Sequence, residues 1–145
     1  MSKLRLFFLI ILIQILFFQC KTDNPVPNVY VYIYLELNNP VYNALNSPGG
    51  SIIIPNEGYK QRGVIIVRTD FESFMAYDAT CTYDPEDAWG KVEIDNTGII
   101  AYDKICNSKF SLMLDGTPME GPATIPLKVY QVQFDPNLNT LTVRN

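Results

Sequence analysis

The clearest pattern in the chain is a strict alternation from residue 29 to residue 37. The odd positions are all aliphatic, whereas the even positions are polar or amphipathic: Tyr30, Tyr32, Tyr34 and Glu36. A period of two predicts a β-strand with an aliphatic face toward the core and an amphipathic face outward. Pro40 ends this strand because proline cannot donate a ladder hydrogen bond. Asn39 is placed to cap a short helical turn that begins at Pro40.

Short strands recur along the rest of the chain. Beta-rich runs bounded by turn residues predict strands at 51–54, 63–68, 73–78, 92–95, 99–102, 127–134 and 140–144. The last six form three predicted hairpins, and no convincing amphipathic helix interrupts them. Regularly spaced short strands predict an all-β fold, a small antiparallel sandwich or partly open barrel.

The first twenty residues have a different character. Lys3 and Arg5 precede an apolar run at 6–18, which is too short to cross a bilayer as a helix and is typical of a secretory signal. The position of Cys20 after this run resembles the lipidation site of bacterial lipoproteins. We therefore expect a signal peptide at 1–19, a lipidated Cys20 with a polar tether at 20–28, and one domain at 29–145. An uncleaved signal anchor, or ordinary cleavage near an incidental Cys20, are the alternatives.

Composition removes several function classes. The 145 residues contain no histidine, which excludes Ser-His-Asp and Cys-His nucleophile systems and every histidine metal ligand. The formal net charge is −4 and no long basic run occurs, so a nucleic-acid partner is not expected. With 48% hydrophobic and 18% charged residues, the chain is expected to be globular.

Two cysteines lie in loops that follow predicted strands. Cys81 stands in Ala-Thr-Cys-Thr-Tyr and Cys106 in Ile-Cys-Asn-Ser-Lys-Phe, and the run 121–130 reads Gly-Pro-Ala-Thr-Ile-Pro-Leu-Lys-Val-Tyr. This layout resembles the Rieske iron–sulfur domain, with its C-x-H loop, C-x-x-H loop, Ser and Phe, and G-P-A-x-x-P-L strand. The resemblance covers residues 58–145, and residues 29–51 resemble the opening of a lipoprotein branch of that family. It implies the Rieske type of β fold.

The ligand positions depart from the family pattern. A Rieske cluster needs two cysteines and two histidines. Cys81 and Cys106 match the cysteine positions, but Tyr83 and Lys109 occupy the histidine positions. These departures indicate a Rieske-type scaffold without a normal [2Fe–2S] cluster. The resemblance itself would imply an electron-transfer oxidoreductase, but the absence of histidine, of a metal-ligand set and of a nucleophile constellation favours a chain without catalytic residues. The alternative is an electron-transfer protein that binds a [2Fe–2S] cluster through these two cysteines and atypical further ligands.

The family geometry also implies a pairing of the cysteines. Cys81 and Cys106 would be close enough to form a disulfide in an oxidising compartment. Lipidation of Cys20 would leave this even pair. A redox-active disulfide is a third possibility, although the two residues do not form a C-x-x-C motif.

Further candidates are weighed against structural roles. The acidic loop at 84–87 could bind Ca²⁺ but is expected to be a solvated loop, and Trp89 is expected to be a lid or core residue rather than an exposed recognition aromatic. Residues 115–123 are expected to cover the cysteine loops. Asp95 and Asp103 are expected to be solvated strand ends rather than a carboxylate pair. The outward tyrosines of 29–37 could bind a partner.

These observations favour one function over its competitors. We expect an exported outer-membrane lipoprotein, periplasmic or surface-facing, that acts as a non-catalytic binding or structural module. Its partners would be the membrane, through lipid on Cys20, and an envelope protein. No cofactor is expected, with a [2Fe–2S] cluster as the alternative.

Overall fold

The computed structural model describes residues 23–145. Ten strands make up its regular structure: β1 Tyr32–Glu36, β2 Ser51–Ile54, β3 Val64–Asp70, β4 Ser73–Asp78, β5 Val92–Ile94, β6 Ile100–Asp103, β7 Lys109–Ser111, β8 Thr117–Glu120, β9 Val129–Asp135 and β10 Thr140–Arg144. Two 3₁₀ turns accompany them, at Pro40–Asn46 and Tyr59–Gln61. All pairings between these strands are antiparallel, which confirms the predicted all-β fold class.

The strands form two sheets. The larger has the order β1-β10-β9-β4-β3-β2, and the smaller is the meander β5-β6-β7-β8. The predicted hairpins β3–β4, β5–β6 and β9–β10 are all present. The predicted cap is present as well, because Asn39 Oδ1 accepts the N–H of Val41 at 3.1 Å at the start of the first 3₁₀ turn.

Strand β3 is buried on both faces and separates two hydrophobic clusters. Val64 and Ile66 face one cluster together with the aliphatic side of β1, while Ile65 and Val67 face the other. The second cluster also contains Cys81, Phe110 and Leu112. A continuous apolar run in a short strand is what burial on both faces requires. The cysteine loops pack against this second cluster, which includes Cys81 and is contacted by Cys106.

The chain before β1 packs onto the domain. Val26 is buried, Asn24 Nδ2 donates to the carbonyl of Pro126 at 2.9 Å, and Lys128 Nζ donates to the carbonyl of Val26 at 3.1 Å. Residues 24–28, which the sequence assigned to the tether, are thus part of the packed structure. Within residues 23–145, no helix is long and apolar enough to cross a membrane. The predicted signal peptide and Cys20 lie outside the described residues.

Candidate functional site

Cys81 lies in the loop after β4 and is 1% exposed. Its N–H donates to the carbonyl of Gly90 at 2.9 Å, which continues the pairing begun by the bridge between Thr80 and Lys91. Burial raises the pKa of the Cys81 thiol well above its usual range, whereas a hydrogen bond from the Tyr83 backbone acts in the opposite direction. The backbone therefore holds this sulfur in place at the edge of the second hydrophobic cluster.

Cys106 lies in the tight loop between β6 and β7, and Asp103 shapes that loop. Asp103 Oδ1 accepts the N–H of Ile105 at 2.6 Å and the N–H of Cys106 at 3.2 Å. The loop is closed by two backbone bonds, from Asn107 to Asp103 and from Asp103 to Ser108, each 2.9 Å long. Aspartate favours this local turn because its short carboxylate reaches the N–H groups two and three residues ahead.

The two loops bring three donor side chains together. The sulfurs of Cys81 and Cys106 lie 3.5 Å apart, and one carboxylate oxygen of Asp103 completes a group whose atoms all lie within 4.8 Å of one another. A pocket of about 180 Å³ opens above them. Its remaining lining comes from Tyr83, Asp84, Asp87, Gly90 and Ile105.

Ser108 connects Cys106 to the segment that covers the loop. Its Oγ lies 3.1 Å from Cys106 Sγ and accepts the N–H of Ala123 at 3.1 Å. Gly121 has a φ of 87°, and a Cβ there would lie 2.5 Å from the Cα of Ser108, so only glycine allows this approach. Gly121 and Ala123 thus pack against the Cys106 loop at Ser108, but no residue of 115–123 lines the pocket above the two sulfurs. Gly116 instead packs against Leu127 and Tyr77.

The four positions that match Rieske ligands do not all converge. Tyr83 lines the pocket beside the cysteines, but its side chain is 56% exposed. Lys109 lies on β7, where its Nζ pairs with Glu120 at 2.6 Å, and it is not among the pocket-lining residues. The predicted disulfide is not formed in this structure: at 3.5 Å the sulfurs are well beyond the bond length of about 2.05 Å. The disulfide stays a prediction.

A [2Fe–2S] cluster does not fit this donor set. Such a cluster requires four protein ligands, two for each iron. The described residues bring together only two thiols and one carboxylate, and the sequence holds no histidine. A protonated lysine in an ion pair has no lone pair to offer a metal.

Asp103 is the residue that sequence reasoning missed. It was expected to be a solvated strand end, yet it is 2% exposed because its carboxylate turns inward onto the Cys106 loop. Asp95 is a partly exposed strand end as expected, with Oδ1 bonded to the N–H and hydroxyl of Thr97. The position of Asp103 could have been predicted from its spacing, because it lies three residues before Cys106. An aspartate that accepts the N–H groups two and three residues ahead brings its carboxylate close to Cys106.

Arg62 holds the backbone of the loop at 84–90, which forms one wall of the pocket. The guanidinium is buried and donates through Nη1 to the carbonyls of Pro85 and Gly90, at 3.0 and 2.8 Å, and through Nη2 to that of Asp87. The acidic loop at 84–87 was predicted to be a solvated loop, but its backbone is fixed by these hydrogen bonds from Arg62. Its Glu86 side chain is exposed, and its hydrogen bonds to Tyr59 and Lys60 lower the pKa of that carboxyl.

Trp89 does not form a lid. The favoured expectation of a lid or core position is wrong, because the side chain is 78% exposed and lies outside the lining of the cysteine pocket. The backbone explains this placement: the Trp89 N–H bonds Asp87 Oδ1 at 2.6 Å, and the Cβ side of Gly90 is crowded by the Asp84 carbonyl. The tight turn points residue 89 outward.

No family model matches the chain, and no curated protein matches it. Among solved structures it is similar to the ferredoxin of carbazole 1,9a-dioxygenase from Nocardioides aromaticivorans IC177, with a TM-score of 0.48 and 16% identity over 80% of this chain and 97% of that one. It is also similar to a chain in a complex of reduced oxygenase and oxidized ferredoxin in carbazole 1,9a-dioxygenase. The TM-score is 0.45 and the sequence identity is 20%, over 67% of this chain and 90% of that one.

A third similar structure is described as the small subunit of an NADH-dependent nitrite reductase from Mycobacterium tuberculosis. Its TM-score is 0.45 and its identity 17%, over 81% of this chain and 97% of that one. All three likenesses lie below 25% identity and below a TM-score of 0.5. The site of this protein therefore has to be defined by its own residues: Cys81, Asp103 and Cys106.

Proposed function

We propose that this protein is an exported, membrane-anchored domain on a Rieske-like β scaffold that acts as a non-catalytic binding or structural module. The observation that carries the proposal is the engagement of Lys109 with Glu120 at 2.6 Å, on the position that resembles a histidine ligand. This ion pair directs the Lys109 ammonium group toward Glu120 on β8, and Lys109 does not line the cysteine pocket. Within residues 23–145, the site therefore brings together fewer than the four ligands that a [2Fe–2S] cluster needs.

The anchor in this proposal is lipid on Cys20. Because residues 24–28 pack onto the domain, only residues 21–23 separate Cys20 from packed structure. An anchored domain would consequently be held close to the bilayer rather than on a long flexible tether. Two or more acyl chains give lasting attachment, because each buried CH₂ contributes about 0.8 kcal/mol.

The surface offered to a partner includes the outer face of β1. Tyr32 and Tyr34 on this strand, and Tyr30 just before it, are exposed to solvent, and the strand lies at one edge of the larger sheet. Tyrosines supply a large contact area at low entropic cost and carry a hydroxyl for hydrogen bonding. These three side chains are the part of the envelope-facing surface that we assign to partner binding.

One spectroscopic experiment tests the absence of a cluster. The full chain is purified anaerobically from its membrane fraction, and its visible absorption and EPR spectra are recorded before and after dithionite reduction. We expect a colourless sample without a reduced [2Fe–2S] signal. A stoichiometric cluster signal would instead establish the second candidate, electron transfer, which the convergence of Cys81 and Cys106 favours.

A separate experiment tests the anchor. Wild-type protein is expected to partition into the detergent phase and to incorporate labelled fatty acid, whereas Cys20→Ser is expected to do neither. Cys106→Ser removes a cysteine from the domain and is the matched control, which should behave as the wild type does. Fatty-acid labelling that survives in Cys20→Ser contradicts the proposed anchor.

A further inference from the structure

The separation of the two sulfurs is close to that of two thiolates on one metal ion. Zinc–sulfur bonds are about 2.3 Å long, so two sulfurs at a tetrahedral angle lie about 3.8 Å apart. Cys81 Sγ and Cys106 Sγ are 3.5 Å apart, which a shift of a few tenths of an ångström would correct. Each sulfur is placed by the backbone of its own loop, so this small shift is the only change in the sulfur pair that the ion requires.

Asp103 supplies a third donor. The two backbone N–H groups that it accepts both bond Oδ1, so Oδ2 keeps its lone pairs for another partner. A carboxylate oxygen of this residue lies within 4.8 Å of both sulfurs. The turn that fixes Oδ1 also fixes the rest of the carboxylate, which is the way outer hydrogen bonds orient metal ligands.

Both sulfurs have hydrogen-bond donors suited to thiolates. In the thiol form Cys106 Sγ donates to Ser108 Oγ at 3.1 Å, and Ser108 Oγ also accepts the Ala123 N–H. Once the thiol has lost its proton, the Ser108 hydroxyl hydrogen can turn to donate to the thiolate. The backbone of Tyr83 bonds the Cys81 sulfur. Donors of this kind stabilise a deprotonated sulfur bound to a metal.

The pocket above the three donors favours a cation. Besides Asp103, the carboxylate residues Asp84 and Asp87 line it, and no lysine or arginine is among its lining residues in the described part of the chain. One sign of charge in a concave site raises the local concentration of the opposite ion. The opening also leaves space for a ligand that does not come from the protein.

We propose that Cys81, Asp103 and Cys106 in their reduced form bind one divalent zinc-class ion, with a fourth coordination position open to the pocket. Two thiolates select a thiophilic metal, and one carboxylate is compatible with zinc. Binding releases one proton from each thiol to solvent, and no electron is transferred. The inference does not rest on the anchored role proposed above. Zinc and the predicted disulfide exclude each other, because a disulfide sulfur cannot act as a thiolate ligand.

Cobalt(II) is the optical probe for this site. The full chain in detergent, kept reduced and anaerobic, is titrated with Co²⁺. We expect one equivalent to give a sulfur-to-cobalt charge-transfer band with visible tetrahedral bands, and zinc to abolish both. Cys81→Ser and Cys106→Ser should each lower the charge-transfer intensity of the bound cobalt by about half or more, because each removes one of the two thiolates, and Asp103→Asn should lower the cobalt affinity at least tenfold.

Asp95→Asn is the matched control for the carboxylate. Asp95 also follows a strand and caps a turn, through its bonds to Thr97, but it does not line the pocket. This variant should bind cobalt as the wild type does. Wild-type affinity and spectrum in Asp103→Asn, no binding by the reduced chain, or a charge-transfer band of undiminished intensity in Cys106→Ser would each overturn the proposal.

X-ray absorption of the zinc-loaded wild type gives a test that does not depend on the folding of any variant. We expect two sulfur ligands at about 2.3 Å and oxygen ligands at about 2.0 Å. A shell of three or four sulfurs would point to recruitment of Cys20 or of a second chain, and a shell without sulfur would point to surface binding. Either result would contradict the assigned ligand set.

Discussion

Tyr130 donates its hydroxyl hydrogen to Asp78 at 2.6 Å in the interior of the larger sheet. Asp78 is fully buried at the end of β4, and the same oxygen, Oδ2, also accepts the N–H of Tyr59 at 2.7 Å. Its other oxygen accepts the N–H of Thr80 at 2.9 Å. This carboxylate therefore joins β9, the second 3₁₀ turn and the start of the Cys81 loop.

Tyr130→Phe tests how much this junction stabilises the fold. The variant keeps the ring in place but leaves a buried carboxylate with one donor fewer, which costs about 1–3 kcal/mol. Urea unfolding of the reduced protein should give a lower midpoint with an unchanged slope. Tyr32→Phe, on an exposed tyrosine of β1, is the control and should keep the wild-type midpoint. Equal midpoints for the two variants would contradict a stabilising role for the Asp78 bond.

Two buried phenols should make the fold sensitive to alkali. Burial raises the pKa of both Tyr77 and Tyr130 far above the ordinary value of 10.0, and the bond to Asp78 adds to the shift at Tyr130. Above pH 10 the unfolded chain loses these protons while the folded chain keeps them. Stability is therefore present in full below pH 10 and falls above it, by up to about 1.4 kcal/mol per pH unit for each phenol.

The slope of stability against pH gives the measurement. Burial lowers the pKa of Lys128, so its titration makes the folded protein more stable as the pH rises just below 10.5, which is opposite to the effect of the phenols. The contribution of Tyr130 is therefore obtained by subtracting the slope of the Tyr130→Phe variant from the slope of the wild type. Tyr130→Phe should show a shallower fall between pH 10 and 11 than the wild type, and Tyr32→Phe should not. Identical slopes for wild type and Tyr130→Phe would show that the phenol titrates alike in both states.

Strands with a regular pattern were predictable, and short irregular ones were not. The alternation of 29–37 correctly predicted the buried face of β1, which is formed by Ile33 and Leu35, and the buried Val31 just before the strand. Strands β7 and β8 were missed because β7 reads Lys-Phe-Ser, with a single apolar residue, and because β8 contains Pro118. Proline normally argues against a strand, but β8 is an edge strand, where a missing donor is tolerated.

The candidate site was predictable in its cysteines and not in its third member. The proximity of Cys81 and Cys106 followed from the resemblance, whereas the inward carboxylate of Asp103 depends on loop closure between β6 and β7. The outward position of Trp89 likewise depends on a turn that no periodicity describes. Local backbone geometry at loop ends was the missing information in both cases.

Arg62→Lys should loosen the wall of the cysteine pocket. A lysine keeps the charge, but its single ammonium cannot serve the carbonyls of Pro85, Asp87 and Gly90 in the planar arrangement that the guanidinium provides. We expect faster amide exchange in residues 84–90 and a loss of about 1–3 kcal/mol in the free energy of unfolding. Arg144→Lys, at the exposed end of β10, is the control. Unchanged exchange in the loop of the Arg62 variant would contradict the bracing role.

Oxidation should convert the cysteine pair into a disulfide. The sulfurs lie 3.5 Å apart and need to approach by about 1.5 Å to reach bonding distance. A bond that closes a loop with a separation of 25 residues stabilises the fold by roughly 3 kcal/mol in the chain-entropy account. Peptide mapping after mild oxidation should recover Cys81 linked to Cys106, and the urea midpoint of the wild type should then fall on addition of reductant.

Cys106→Ala is the control for this shift, since its midpoint should not respond to reductant. The rate of disulfide formation with and without zinc gives a second test. An ion held by both thiolates should slow the formation of the Cys81–Cys106 bond. Recovery of both Cys81 and Cys106 as free thiols from oxidised, zinc-free, folded protein would refute the disulfide. It would leave the metal site untouched, because that site needs only the reduced pair.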